Sequence, residues 1–260
     1  MKFKTISIVG HTGKMGRMFA ALWAKAGYSV HGVDRVPTAD GALALDAAQL
    51  AKTLAKGEVV VLCVPVTAIA ETLAHVSPHL RPHQVLADIT SVKTLPMAAM
   101  EQAFAGPVVG THPLFGPTPC PEDMRVAITP GKEASDRHCA AVEHLFTDIH
   151  CTTFCTTPEE HDRGVGFAQS LNFAVCASFF ATLANQPSIE PFLTPSFKRL
   201  MEAARKHLTV DTAMFCEFTG ANPQFAHVVA EYDKVLARTT SDLAGIAATA
   251  RIWYEKKEMQ

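Results

Sequence analysis

The sequence carries little net charge: 23 Lys and Arg stand against 25 Asp and Glu, a formal −2 over 260 residues. Without a basic field, neither nucleic acid nor an anionic membrane surface is an expected partner. Paired cysteines are missing too. The 7 cysteines are scattered, odd in number and never spaced as C-x-x-C, which argues against a disulfide framework and for reduced thiols and a cytoplasmic address. The group His138, Cys139, His144, His150, Cys151 and Cys155 lacks metal-ligand spacing, and no metal is expected. No apolar run approaches the ~20 residues of a membrane span. The first strand begins too near Met1 to leave room for a signal peptide. Low-complexity tracts and internal repeats are absent as well. What is present is 48% hydrophobic and 18% charged residues, in a length that buries a real core as one large domain or two modest ones.

The first part of the chain alternates apolar runs with helical patterns. Strands are expected over 3–9, 29–33, 58–64, 85–89 and 108–111, and helices over 16–26, 67–76 and 94–104. The run EVVVLCV (58–64) is apolar on both faces, as a strand inside a parallel sheet must be. Further strands at 124–128 and 152–156 flank a helix over 134–146. Such alternation with short connections predicts a doubly wound, Rossmann-type parallel sheet. From Pro158 onward only helical patterns remain, over 159–184, 196–207, 212–218 and 223–255, with Pro187, Pro191 and Pro195 between the first two. The expected organisation is an α/β domain over 1–157 and an all-helical domain over 158–260.

The first strand ends in IVGHTGKMGR, placing Gly10, Gly13 and Gly16 on a strand-to-helix turn. A dinucleotide site needs glycines there for the tight turn, for backbone approach to the pyrophosphate and for close helix packing. The helix N-terminus then offers free N–H groups to phosphate. Spacing is G-x-x-G-x-x-G rather than G-x-G-x-x-G, so the context carries the reading. Asp34 ends the next strand, 18 positions past Gly16, where a carboxylate takes the ribose hydroxyls. Asp34 favours NAD, while Arg35 beside it could pair with the 2′-phosphate of NADP. Gly10, His11, Thr12, Gly13, Lys14, Met15, Gly16, Asp34, Arg35, Val64 and Pro65 form the expected cofactor set.

Three further segments carry polar residues at strand ends or a helix start: LADITSVK with Asp88, Ser91 and Lys93; VVGTHPLFGP with His112; and PEEHDRG with Glu160, His161 and Asp162. Singly, each has a structural explanation. A histidine at a strand end is commonly a hydrogen-bonded structural residue, Ser91 could cap the helix starting near Thr94, and Asp162 could answer a helix dipole. Together, the order IVG-x-x-G-x-MG, D-x-x-SVK, G-x-HP-x-FGP and EEHD resembles the prephenate/arogenate dehydrogenases of tyrosine biosynthesis, across roughly residues 5 to 240.

The resemblance implies an oxidative decarboxylation of a cyclohexadienyl substrate with hydride transfer to NAD, in a homodimer formed through the helical domain. His112 matches the family's catalytic base and Ser91 the serine beside it; His161 and Asp162 match the helix-start pair that lines the substrate site. A cation from SFKRLMEAARKHL should meet a substrate carboxylate, with Lys198, Arg199, Arg205 and Lys206 as candidates and Arg238 a weaker one. At least half of these must simply be a solvated helix face. His11 and Thr12 depart from the glycine-rich turn of relatives. Because the chain opens at the first strand and closes on helices, a single-activity enzyme without a fused mutase or sensing domain is expected. Alternatives are a dehydrogenase for a 4-amino-4-deoxyprephenate-like or β-hydroxyacid substrate, or a non-catalytic dinucleotide-binding sensor.

Overall fold

A computed structural model describes residues 2–37, 43–184, 186 and 188–258; Pro187 lies outside them. Apolar alternation on both faces of short strands builds one seven-stranded sheet: β1 (Thr5–Val9), β2 (Ser29–Val33), β5 (Val59–Leu62), β6 (Val85–Asp88), β7 (Val108–Pro113), β8 (Arg125–Pro130) and β9 (Thr152–Cys155). Their order is β2-β1-β5-β6-β7-β8-β9. All neighbours are parallel except β7 and β8, which pair antiparallel. The sheet is thus the expected doubly wound, Rossmann-type one, with a single antiparallel pair near this edge. The proline-broken segment joining β7 to β8 holds no helix of a length that could carry a parallel crossover.

Helices cover both faces. On one, Ile6, Ile8, Val59 and Val61 meet Phe19 and Trp23 of α1 (Lys14–Lys25) and Val142, Leu145 and Phe146 of α5 (Asp136–Thr147). Trp23 Nε1 donates to Leu145 O at 2.8 Å, so the largest buried ring leaves no orphan donor. On the other face, Val9, Val60 and Leu62 meet α2 (Ala47–Leu54), α3 (Ile69–Val76) and α4 (Thr94–Ala103). Burying each such aliphatic side chain contributes about 1.5–3 kcal/mol, so this core fixes the strand ends that carry the site. Sequence reading omitted α2 and the small antiparallel pair β3 (Arg35–Pro37) and β4 (Leu43–Leu45). Yet α2 has a cap visible in the sequence: the Asp46 carboxylate accepts from Gln49 N at 2.6 Å.

The rest is helical: α6 (Pro158–Val165), a π-helical stretch at Gly166–Leu171, α7 (Asn172–Leu183), α8 (Pro195–Thr209), α9 (Thr212–Ala221), α10 (Phe225–Leu236) and α11 (Leu243–Glu258). Thr157 and Glu160 form a capping box and Pro158 takes the first helical position, which sets the start of α6. The continuous stretch Pro158–Leu183, 26 residues, is long and apolar enough by length and composition to cross a membrane, contrary to the expectation of no such run. Its opening turns carry the buried polar residues His161 and Asp162, and its middle meets α9 and α10. The single helix expected over 223–255 is two. TTSD (239–242) breaks it, and Asp242 accepts from Gly245 N at 3.1 Å at the start of α11.

Candidate active site

At the carboxyl ends of β6 and β7, three segments far apart in sequence meet. Every residue of β7 is buried, and His112 stands opposite Ala127 of β8. His112 Nδ1 lies 2.9 Å from His161 Nε2, and His161 Nδ1 lies 2.8 Å from Asp162 Oδ1. Asp162 also accepts from Lys93 N at 2.6 Å and Thr94 N at 2.8 Å. It therefore caps α4, whose own N-cap residue Lys93 makes no side-chain cap. Ser91 does not cap that helix; it is half-buried and makes no hydrogen bond among the described residues.

Hydrogen-bond direction follows from charge. Burial opposes the Asp162 carboxylate, but hydrogen bonds from His161, Thr94 and Lys93 hold its pKa below the usual range. An ionised Asp162 only accepts, so His161 Nδ1 carries the proton and its Nε2 accepts from His112 Nδ1–H. His112 Nε2 is then left with its lone pair. Burial also lowers the pKa of His161, against the pull of Asp162, so the imidazole is neutral. For His112, burial, His161 and Lys93 push the pKa well below the ordinary imidazole range. Both ring nitrogens of His161 are engaged within the protein.

One of the four α8 cations reaches this region. A Cβ built on Gly116, in the FGP turn after His112, would lie 3.8 Å from Lys206 Nζ. Lys206 also faces Asp211 at 3.6 Å. Arg205 instead faces Glu202 at 3.7 Å, and Lys198 and Arg199 are exposed farther up the helix. Arg238 is drawn to Asp242, 2.6 Å away, in the turn between α10 and α11. Asn222 was not singled out in the sequence. Its Nδ2 donates to Asp162 O at 2.8 Å and so ties α6 to the turn between α9 and α10. Its pairing with Pro223 marks a turn in the sequence but not its distant partner.

Beside this site, a cavity at the carboxyl ends of β1 and β5 is lined by Gly10, Thr12, Gly13, Asp34, Val64 and Pro65, with Arg35 at its rim. Gly10 has φ +84°, and a Cβ there would sit 2.4 Å from Cys63 O; one on Gly16 would sit 2.3 Å from Gly10 O. Gly10 thus makes the turn and Gly16 lets α1 approach it. Gly13 is exposed and caps α1 with no side chain, leaving the helix N-terminus open to a phosphate. The residues fit a dinucleotide. Burial opposes the Asp34 charge, but hydrogen bonds from Thr12 and Arg35 N hold its pKa low. His11 turns away from the cavity and lays its ring over Gly32, where a Cβ would be 2.3 Å from its Cγ. Lys14 and Met15 open α1 without lining the cavity, which instead includes Leu45, Ala68 and Thr72.

Fold and cavity together have the form of a Rossmann-type dinucleotide-binding domain. The chain belongs to the prephenate dehydrogenase family: the family model "Prephenate dehydrogenase, nucleotide-binding domain" matches residues 21–153. It is 31% identical to the T-protein of Haemophilus influenzae over 193 residues, 70% of this chain and 46% of that protein. It is 26% identical to the probable arogenate/prephenate dehydrogenase of Methanocaldococcus jannaschii over 237 residues, 86% of this chain and 53% of that one. The chain thus spans about half the length of the curated relatives it matches. Its fold matches that of prephenate dehydrogenase from A. aeolicus, crystallised with hydroxyphenyl propionate and NAD+, at TM-score 0.78 and 20% identity over 100% of this chain and 97% of that one. Synechocystis arogenate dehydrogenase matches at TM-score 0.77 and 19% identity, over 98% and 99%.

Proposed function

We propose that this protein catalyses the oxidative decarboxylation of prephenate or arogenate, using NAD in preference to NADP. The observation that carries the reading is the chain His112–His161–Asp162, which leaves one imidazole nitrogen of His112 without a hydrogen-bond partner among the described residues, on the same sheet edge as the glycine-turn cavity. His112 Nε2 takes the proton of the ring hydroxyl. Its lowered pKa keeps it unprotonated and ready at neutral pH. His161 and Asp162 hold the tautomer that aims this lone pair, as the third member of a catalytic triad does. Ser91, in the segment before α4, is assigned a hydrogen bond near the same hydroxyl. Lys206, over the FGP turn, meets a substrate carboxylate as a compact positive charge. Gly10, Thr12, Gly13, Asp34, Val64 and Pro65 hold NAD, which when bound supplies the acceptor for the hydride leaving the ring. Loss of the ring carboxylate as CO2 leaves an aromatic product, so the residues need only place the substrate and remove one proton.

The NAD preference rests on the ionised Asp34, which takes ribose hydroxyls and repels a 2′-phosphate. A cytoplasmic homodimer is part of the same proposal. Exposed Leu243, Ile252, Trp253 and Tyr254 on α11, a helix with no buried side chain among its described residues, favour a second copy as its cover. Reduction of NAD by the purified protein with prephenate or arogenate, with aromatic product formed in equal amount, tests the reading. No turnover of either refutes it.

A further inference from the structure

Lys93, the last residue of SVK, does not face the cavity. Its side chain is wholly buried, with Nζ 2.5 Å from Asp88 Oδ2, 2.7 Å from Thr111 O and 3.1 Å from Thr90 Oγ1. Three acceptors around one nitrogen match the three donors of an ammonium. The lysine stem crosses β7 at Gly110, where a Cβ would come within 3.2 Å of Lys93 Cδ. Asp88 grips the same stretch of β7: Oδ1 accepts from Thr111 N at 3.3 Å, and its carbonyl accepts from Thr111 Oγ1 at 2.5 Å. The motifs SVK and VGTHP are therefore one construction. The ion pair closes around the peptide that leads into His112.

We infer that Lys93 is a positioning residue for His112: through Thr111 it fixes the backbone bearing the imidazole, and it sets a positive charge on the peptide that leads into His112 without touching substrate or cofactor. This rests on the reading of His112 as the base. A buried pair is retained here at a desolvation cost that an apolar pair would avoid, which suits a role beyond stability. Four ionisable groups are linked to His112 through hydrogen bonds or through its strand. His161 and Asp162 come from α6, Asp88 from the end of β6 and Lys93 from the segment before α4, while β8 presents Ala127. Of these, Lys93 is the cation: burial draws its pKa down against the pull of Asp88, and as the ammonium of that ion pair it disfavours the imidazolium. Lys93 thus adds to burial and His161 in keeping the base free at pH values where an ordinary histidine would begin to protonate.

Removing Lys93 alone strands a buried carboxylate, so the variant to make is Lys93→Met with Asp88→Asn, which leaves no unpaired charge. Histidine side-chain NMR, with the His112 signal identified by its loss in His112→Asn, follows the titration without needing turnover. The His112 midpoint is expected to rise by about one pH unit in the double variant, and the acid limb of kcat to move with it. A midpoint that stays or falls in the folded double variant overturns the inference. In the unmutated protein, the Lys93 Cε signal should remain that of an ammonium from about pH 5 to about pH 8; a neutral amine in that range overturns it even if the double variant does not fold. Absence of turnover would sink the proposed reaction while leaving these titrations readable, so the two failures are distinct.

Discussion

Replacing His112 with Asn separates a base from a structural histidine. The Asn amide can still donate to His161 Nε2, 2.9 Å from the present Nδ1, so the link to Asp162 and the cap of α4 survive. What disappears is the bare Nε2. Loss of a general base costs ~10²–10⁴ in rate, or ~2.7–5.5 kcal/mol of transition-state stabilisation, so kcat should fall by that factor. Stability should change by only about 1 kcal/mol, because the donor is replaced and the volume roughly kept. The dissociation constant for NAD, measured by calorimetry, should stay within about twofold, since His112 does not line the glycine-turn cavity. The pH profile adds a second check. Activity needs neutral His112, so wild-type kcat should hold through neutrality and fall only as pH drops through the lowered pKa, below the ordinary ~6.5. That limb should vanish from the residual activity of His112→Asn. A variant that keeps most of its kcat, or loses NAD binding with it, would refute the assignment.

Asp34→Ser should raise KM for NAD about tenfold and improve use of NADP through Arg35; a wild type that already favours NADP tenfold contradicts the role given to Asp34. Lys206→Met should raise substrate KM about ten- to hundredfold with little change in kcat, whereas Lys198→Met should leave both near wild type; equal effects would show that α8 acts only as scaffold. Native His112 and His161 both have pKa values below the unfolded ~6.5, so the unfolded chain binds more protons as pH falls. Their contribution to stability is complete above about pH 6.5 and is lost below it. Urea midpoints should therefore decline from pH 7 toward pH 5, less steeply in His112→Asn; parallel curves would show that His112 titrates normally.

The sheet was legible because β5, with all four residues buried, must be apolar on both faces, and because glycines mark the first turn regardless of what surrounds them. The antiparallel β8 was less so, since an apolar run shows no direction. HPLFGP and EEHD could be named as chemistry-bearing from sequence, but their connection could not. Asp162 caps α4 across 68 positions, and His161 reaches His112 across 49. Lys93 stood in the sequence only as a polar motif residue after a strand, and nothing there showed that Gly110 admits its stem into the core. Four cations on α8 were indistinguishable in one sequence, because only packing decides which turn of the helix faces Gly116. The break between α10 and α11 was missed, although TTSD, with its cap-forming residues, outweighs the helical periodicity on either side.

The most direct test of the proposed reaction is a side-by-side kcat/KM with prephenate and with arogenate, each with NAD and with NADP, measured together with CO2 release. The site predicts stoichiometric CO2 and reduced NAD with at least one of the two substrates, and a smaller kcat/KM for the same substrate with NADP. Cofactor reduction without CO2, or none with either substrate while NAD still binds, would contradict it.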